Sequence, residues 1–343
     1  MALIRVGLIR CDTHGLWFGP LMADHDPLLF QRPRLPVRGG QYSWMRGGLH
    51  QFFYTNYHDV LKMTVPSVEG FEITRVWDEH REAAELAATV FLGKPQVCET
   101  FAEVSDDVDL VFVADCNNDG SDHLELATPG LEKGVPTFVD KPFADSIASA
   151  AAILELSRKH NAPVYSQSIC RVEPAFVRFR NRLPEVGVAN FATLHGYGTA
   201  PAGLVHTVSI TQLLFGPGIK TVQVLEAERH CAVYLDYGDR PDRPRHGVMI
   251  NCDVGDRPFT GMTVTVIGTV SQIHTTVLGD YAYAHGTCEI IKTIRDMVSS
   301  RETPGSMGEV LETIAVIEAF KQARATGAAV AVEDASHLQQ YTQ

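Results

Sequence analysis

The sequence predicts an α/β protein in two domains: an N-terminal doubly wound parallel sheet, then an α+β domain with a large, mostly antiparallel open sheet. Three observations carry this. Strand and helix patterns alternate through the first 145 residues, as right-handed βαβ units require. From about residue 190 to 290, strand-like segments follow one another without long helices between them. The 343 residues also exceed the roughly 250–300 at which a single core stops growing. The boundary is expected between residues 145 and 146, with the crossover helix and a closing helix in the second domain.

Taken in order, Arg5-Val6-Gly7-Leu8-Ile9 reads as a buried strand running into a glycine-bearing turn. Residues 20–57, rich in Pro, Gly and aromatics, keep no sustained period and exceed ordinary loop length, so they read as an inserted lid or binding segment. Its Tyr42, Trp44, Phe52, Phe53 and Tyr54 are suited to cover a site or to pack against the domain. A strand ending at Asp78 follows, then the helix "EHREAAELAATVFL" and the wholly apolar strand "VDLVFVAD". "SDHLELATPGLEKG" reads as a helix ending at Gly134, and "VPTFVDKP" as a short strand stopped by Pro142. "DSIASAAAILELSRKHNAP", with an Asp N-cap candidate, has the form of a crossover helix into the last strand, "VYSQSIC". The second domain offers "VANFATLHGYG", "KTVQVLEAERHCAVYLDYG", "HGVMINCDVG" and "GMTVTVIGTVSQIHTTVL" as strands. The helix "GEVLETIAVIEAFKQARATG" and the tail strand "AAVAVE" close it.

The bulk numbers exclude several classes. A net charge of −12 without any Lys/Arg cluster argues against a nucleic-acid partner. Apolar runs such as Leu110–Ala114 fall far short of the roughly 20 residues that span a bilayer, and the N-terminus lacks a signal-peptide pattern. A soluble, cytoplasmic protein without membrane contact is expected. Seven scattered cysteines, none in C-x-x-C spacing, argue against a disulfide framework.

The first turn is where a dinucleotide-binding, Rossmann-like chain carries G-x-G-x-x-G. Here the six residues are Arg10-Cys11-Asp12-Thr13-His14-Gly15. Gly15 can still let helix pack on strand, but Arg10 replaces the glycine of the tight turn and Asp12 the one that lets backbone approach pyrophosphate. Two like charges about 4 Å apart cost from about 1 kcal/mol in water to about 4 kcal/mol at an effective dielectric of 20. Arg10 can offset this by pairing with phosphate, or simply neutralise Asp12. Asp78 stands where a ribose-binding acid belongs, which would favour NAD over NADP, and it is equally good as a helix N-cap. The loop from Asp115 to His123 is rich in oxygen ligands. Asp12, His14, Asp115, Asn117 and His123 could therefore converge at the switch-point crevice. Asp12, His14 and Asp115 are a candidate divalent-metal set, although polar loops of this kind ordinarily make turns and caps.

This order, with "FVDKPFADS" closing the first domain, resembles the Gfo/Idh/MocA family of NAD(P)-dependent sugar and cyclitol oxidoreductases. The matching features are the strand ending at Asp78, His123 placed 18 residues before Lys141 in "DHLELATPGLEKGVPTFVDKP", Arg171 and Pro174 in "CRVEPAF", "GLVHTVSITQLLFG", and the closing "TPGSMGEVLETIAVIEAFKQA". The resemblance implies hydride transfer between a nicotinamide and a polyol, sugar or cyclitol. Lys141 would hold the reacting oxygen near the cofactor, His206 would take the hydroxyl proton, and Arg171 would join them in binding substrate. Arg10, Asp12, His14, Gly15, Asp78, Asn117, His123 and Lys141 would surround NAD or NADP. Ala202 and Ser209 stand where the family carries Asp beside its histidine. A homodimer or homotetramer through the second sheet is implied as well. Two other functions fit the scaffold: a hydrolase, lyase or isomerase that uses Asp12 and His14 to hold a metal or polyol, and a non-catalytic binding protein.

Overall fold

The computed structural model describes residues 3–11, 14–31, 53–54, 61–114, 118–196, 198–228, 230–253 and 261–334. Six parallel strands form the first sheet: β1 (Ile4–Ile9), β2 (Phe71–Trp77), β3 (Gln96–Val97), β4 (Leu110–Val113), β5 (Thr137–Val139) and β6 (Val164–Tyr165), in the order β3-β2-β1-β4-β5-β6. Helices α1 (His14–Met22), α2 (Pro27–Gln31), α3 (Arg81–Val90), α4 (His123–Glu132) and α5 (Ile147–His160) follow in the intervals. β4 is buried at every residue, as a strand covered on both faces must be. Phe18 of α1 packs on Phe112 of β4 at 5.1 Å, and Phe112 on Phe138 of β5 at 4.5 Å.

The short helices α6 (Ile169–Val172) and α7 (Pro174–Arg180) lead to the second sheet. Its strands are β7 (Ala189–Gly196), β8 (Thr221–Ala227), β9 (His230–Asp236), β10 (Val248–Asp253), β11 (Thr263–Gly268), β12 (Gln272–His274) and β13 (Val330–Ala331). They lie in the order β12-β11-β7-β10-β9-β8-β13, antiparallel except where β7 runs parallel to β10. Helices α8 (Pro201–Phe215) and α10 (Met307–Thr326) pack on this sheet, and α9 (Asp280–Ser300) lies against α1, α6 and α7. The architecture is the one expected from the sequence.

Several local expectations change. A 15-residue helix, α8, interrupts the region read as strands only. It is buried from Leu204 through Phe215, so no wet face exists to print a helical period on the sequence. The 21-residue α9 was missed although its buried Tyr283, Ala284, Thr287, Ile291, Ile294 and Met297 recur at helical spacing; Gly286 within it lies so close to α6 that a Cβ would meet the Ile169 carbonyl oxygen at 2.4 Å. The cap of α5 is Ser146, whose hydroxyl accepts from the Ser149 amide, rather than Asp145. The strand read in "VYSQSIC" is only two residues long. Within the supposed insertion, α1 extends to Met22 and α2 spans Pro27–Gln31. Phe53 and Tyr54 are buried, with the Tyr54 hydroxyl 2.7 Å from His25 Nε2. Tyr42, Trp44 and Phe52 lie outside the described residues. Among the described residues, no helix is long and apolar enough to cross a membrane.

Candidate active site

The ends of β2, β1, β4 and β5 are laced together by backbone bonds, from Arg10 to Trp77, Ala114 to Ile9 and Asp140 to Val113. This aligns the carboxyl edge of the sheet, where open α/β sheets place their ligands. Arg10 adopts φ +67°, the left-handed turn that the first fingerprint glycine serves. Its guanidinium reaches Glu79 at 2.9 Å and Asp122 at 2.6 Å and lies over the Trp77 ring. Beyond the two roles weighed from sequence, Arg10 thus braces the end of β2 to the start of α4.

Asp78 is only 3% exposed. Its carboxylate accepts from the Cys11 amide at 3.0 Å and the His80 amide at 2.8 Å, pinning the first turn to the second strand. The N-cap of α3 is His80, so the capping alternative for Asp78 does not hold. Gly15 sits where a Cβ would meet the Arg10 carbonyl oxygen at 2.1 Å. The loop therefore keeps two features a dinucleotide needs: the left-handed first residue and the close packing of helix on strand. Those two features fit that group. Asp12, Asp115 and Asn117 lie outside the described residues.

Across the mouth of β4, the His14 ring bonds through Nδ1 to the Asp140 carboxylate. Asp140 is buried and also accepts from the Lys141 amide at 2.8 Å. Burial alone would push its carboxyl up, but the charge and hydrogen bond of His14, with Lys141 behind them, hold it at about 2. Lys141 is 7% exposed at the end of β5, joined to Pro142 by a cis peptide. Beneath it lies a cavity of about 10 Å³, room for about one water, lined by Lys141, Ser168, Ser209, Gln212, Glu309 and Thr313 among others.

His206, on α8, closes the group. Its Nδ1 lies 2.8 Å from the Ser168 hydroxyl, which also accepts from the Cys170 amide at 3.2 Å. Burial lowers its pKa well below 6.5, and the Lys141 and His14 charges push the same way while Asp140 opposes them. An unfolded chain therefore binds a proton below pH 6.5 that the folded chain refuses. Stability should fall by about 1.4 kcal/mol per pH unit from this residue as pH drops below 6.5. Urea unfolding of His206→Gln should show a shallower acid-side decline than the parent; parallel declines would refute the assignment.

Other expected residues lie elsewhere. Arg171 holds Glu309 through Nε and Nη2 at 2.8 and 2.5 Å, tying α6 to α10, so it reaches the Lys141 cavity only through that carboxylate. His123 is fully buried at the start of α4, beneath Gly120. Among the described residues, no group of three or more His, Cys, Asp or Glu is placed to hold a metal. Asp140 and Ser168 were missed from sequence. Asp140 stands beside Lys141 in a quoted motif, and Ser168 carried no signal.

The fold is a Rossmann-like parallel sheet followed by a mixed, mostly antiparallel sheet. Residues 48–168 match the model of the Gfo/Idh/MocA oxidoreductase family, NAD-binding Rossmann fold. Over that segment the chain resembles the family, and the solved structures below share its fold along nearly the whole length. The match begins beyond the altered fingerprint. No curated protein matches the chain in sequence. Among solved structures, it resembles myo-inositol dehydrogenase from Lactobacillus casei in complex with NAD(H) and myo-inositol, with 14% identity, 96% of this chain and 97% of that one covered, and TM-score 0.71. GenD2 from gentamicin A biosynthesis in complex with NAD gives 15% identity, 97% of both chains and 0.68. An oxidoreductase from Agrobacterium radiobacter in complex with NAD+, L-tartaric acid and magnesium gives 14%, 96% of this chain, 98% of that one and 0.68. At these identities the likeness is one of fold.

Proposed function

We propose that the protein is a nicotinamide-dependent oxidoreductase that acts on a hydroxyl-bearing carbon of a polyol, sugar or cyclitol, in sugar metabolism. The observation that carries this is the convergence of Lys141, His206 and the His14–Asp140 pair at the carboxyl edge of the first sheet. Bound there, a nicotinamide dinucleotide supplies the hydride acceptor or donor. The turn from Arg10 to Gly15 and the N-terminus of α1 would hold its diphosphate. Asp78 and Glu79, at the end of β2, would disfavour a 2′-phosphate, so NAD is the proposed cofactor. Lys141 would donate a hydrogen bond to the reacting oxygen and stabilise negative charge there.

Leu225 and Ile267 are exposed on the second sheet, and we assign that face to a homodimer or homotetramer contact. The described cysteines are all buried thiols, which suits the reducing cytoplasm proposed for the protein. Titration with NAD(H) and NADP(H), followed by tryptophan fluorescence and melting temperature, tests the reading, because Trp77 lies directly beneath Arg10. Saturable binding, tighter for NAD, is expected. No response at millimolar dinucleotide removes the redox assignment, and a monomer by light scattering of the same sample removes the oligomer.

A further inference from the structure

The cluster holds two histidines in unlike surroundings. His206 is buried, and the group on its Nδ1 is an uncharged hydroxyl. Lys141 and His14 both oppose a positive charge on it. Among the described residues, Asp140 is the group that favours an imidazolium there, and burial, Lys141 and His14 outweigh it. His14 has its Nδ1 on the carboxylate of Asp140 itself, and its side chain retains 14% exposure. An ionised carboxylate only accepts hydrogen bonds, so the shared proton belongs to Nδ1 of the ring. In the neutral ring, Nε2 then carries the lone pair. This is the arrangement in which a third group orients a base and stabilises the cation it forms. Asp140 is itself fixed, by burial and by the Lys141 amide. Among the described residues, His14 contacts Asp140 and acts electrostatically on His206, and Lys141 is joined to Asp140. The N-terminus of α1 adds a partial positive charge, weaker than the full negative charge of Asp140 in contact with the ring.

We propose that His14, oriented by Asp140, takes the substrate's hydroxyl proton, and that His206 with Lys141 positions the oxygen. The assignment rests on the oxidoreductase reading above. In oxidation, the O–H bond breaks and its proton passes to Nε2 of His14. The C–H bond breaks and its electron pair leaves as hydride to the oxidised nicotinamide dinucleotide, and the C=O bond forms. Reduction reverses both transfers, with His14 returning the proton.

Two sets of measurements test this. In 15N-histidine spectra of the whole protein, neutral His14 should be the Nδ1–H tautomer, and Asp140→Asn, which can donate to the ring, should convert it to Nε2–H. With NAD and myo-inositol as the probe polyol, His14→Ala should lower kcat by about a hundredfold or more. Imidazole in the buffer should restore part of that loss. His206→Ala should not respond to imidazole. An Nε2–H tautomer for His14 in the parent overturns the proposal, even where myo-inositol proves not to be a substrate. So does a His14→Ala enzyme with parental kcat, or imidazole rescue confined to His206→Ala. Loss of NAD binding by the parent sinks the underlying reading instead, and the tautomer then still reports on the pair.

Discussion

Lys141→Met is expected to lower kcat/KM for NAD-linked polyol oxidation by about 10²–10³, the loss typical when one preorganised charged donor is removed. The side chain stands at the end of β5 and is 7% exposed, so its ammonium acts where water screens little. Methionine keeps the length and the buried stem and deletes the cation. The backbone anchor survives, because it is the Lys141 amide that donates to Asp140. Folding should therefore change little, with a melting temperature close to that of the parent. Two linked effects follow from the same deletion. The Asp140 carboxyl should rise from about 2, since Lys141 is among the charges that hold it down, and His206 should become easier to protonate. A Lys141→Met enzyme within tenfold of the parent would remove this lysine from the chemistry. A large drop in melting temperature would instead mark the ammonium as part of the structural frame.

The sequence showed the frame well and the site unevenly. Alternating strand and helix patterns before residue 145 located β1, β2, β4 and β5, because a parallel sheet buried on both faces writes apolar runs such as Leu110–Val113 into the chain. The same logic hid α8, whose burial on all sides erases the period that would mark a helix. Lys141 stood out because a strand end followed by proline fixes where its side chain emerges. Its carboxylate neighbour Asp140 did not, since the value of that residue lies in a contact with His14, 126 residues away in sequence. Arg10 misled in a useful way. Read one-dimensionally it replaces a glycine with a charge, whereas in three dimensions its φ of +67° keeps the turn and its guanidinium joins Glu79 and Asp122. Spacing and residue type reveal what one segment does alone. They are silent on which carboxylate a distant loop will supply.

Gly15→Ala is expected to cost about 3 kcal/mol of stability, at the upper end of what overpacking a tight site does. The new Cβ would lie 2.1 Å from the Arg10 carbonyl oxygen and 3.1 Å from its carbon, and both belong to backbone that cannot rotate away. The alternative is for α1 to move. Its residues from Gly15 to Met22 are all buried, however, with the Trp17 indole donating to Thr287 at 2.8 Å and Phe18 seated on Phe112. Outward displacement of the helix would disrupt these contacts, while a shift of Arg10 would strain its bonds to Glu79 and Asp122. At roughly 2–4 °C per kcal/mol for a domain of this size, the melting temperature should fall by about 6–12 °C. Gly305→Ala is the control, because a Cβ there meets nothing within 4 Å. NAD affinity should fall with Gly15→Ala as well, since the diphosphate would rest on the amides this packing positions. If both variants melt with the parent, helix and strand are further apart at this turn than the fold requires, and the retained glycine has no role in a phosphate site.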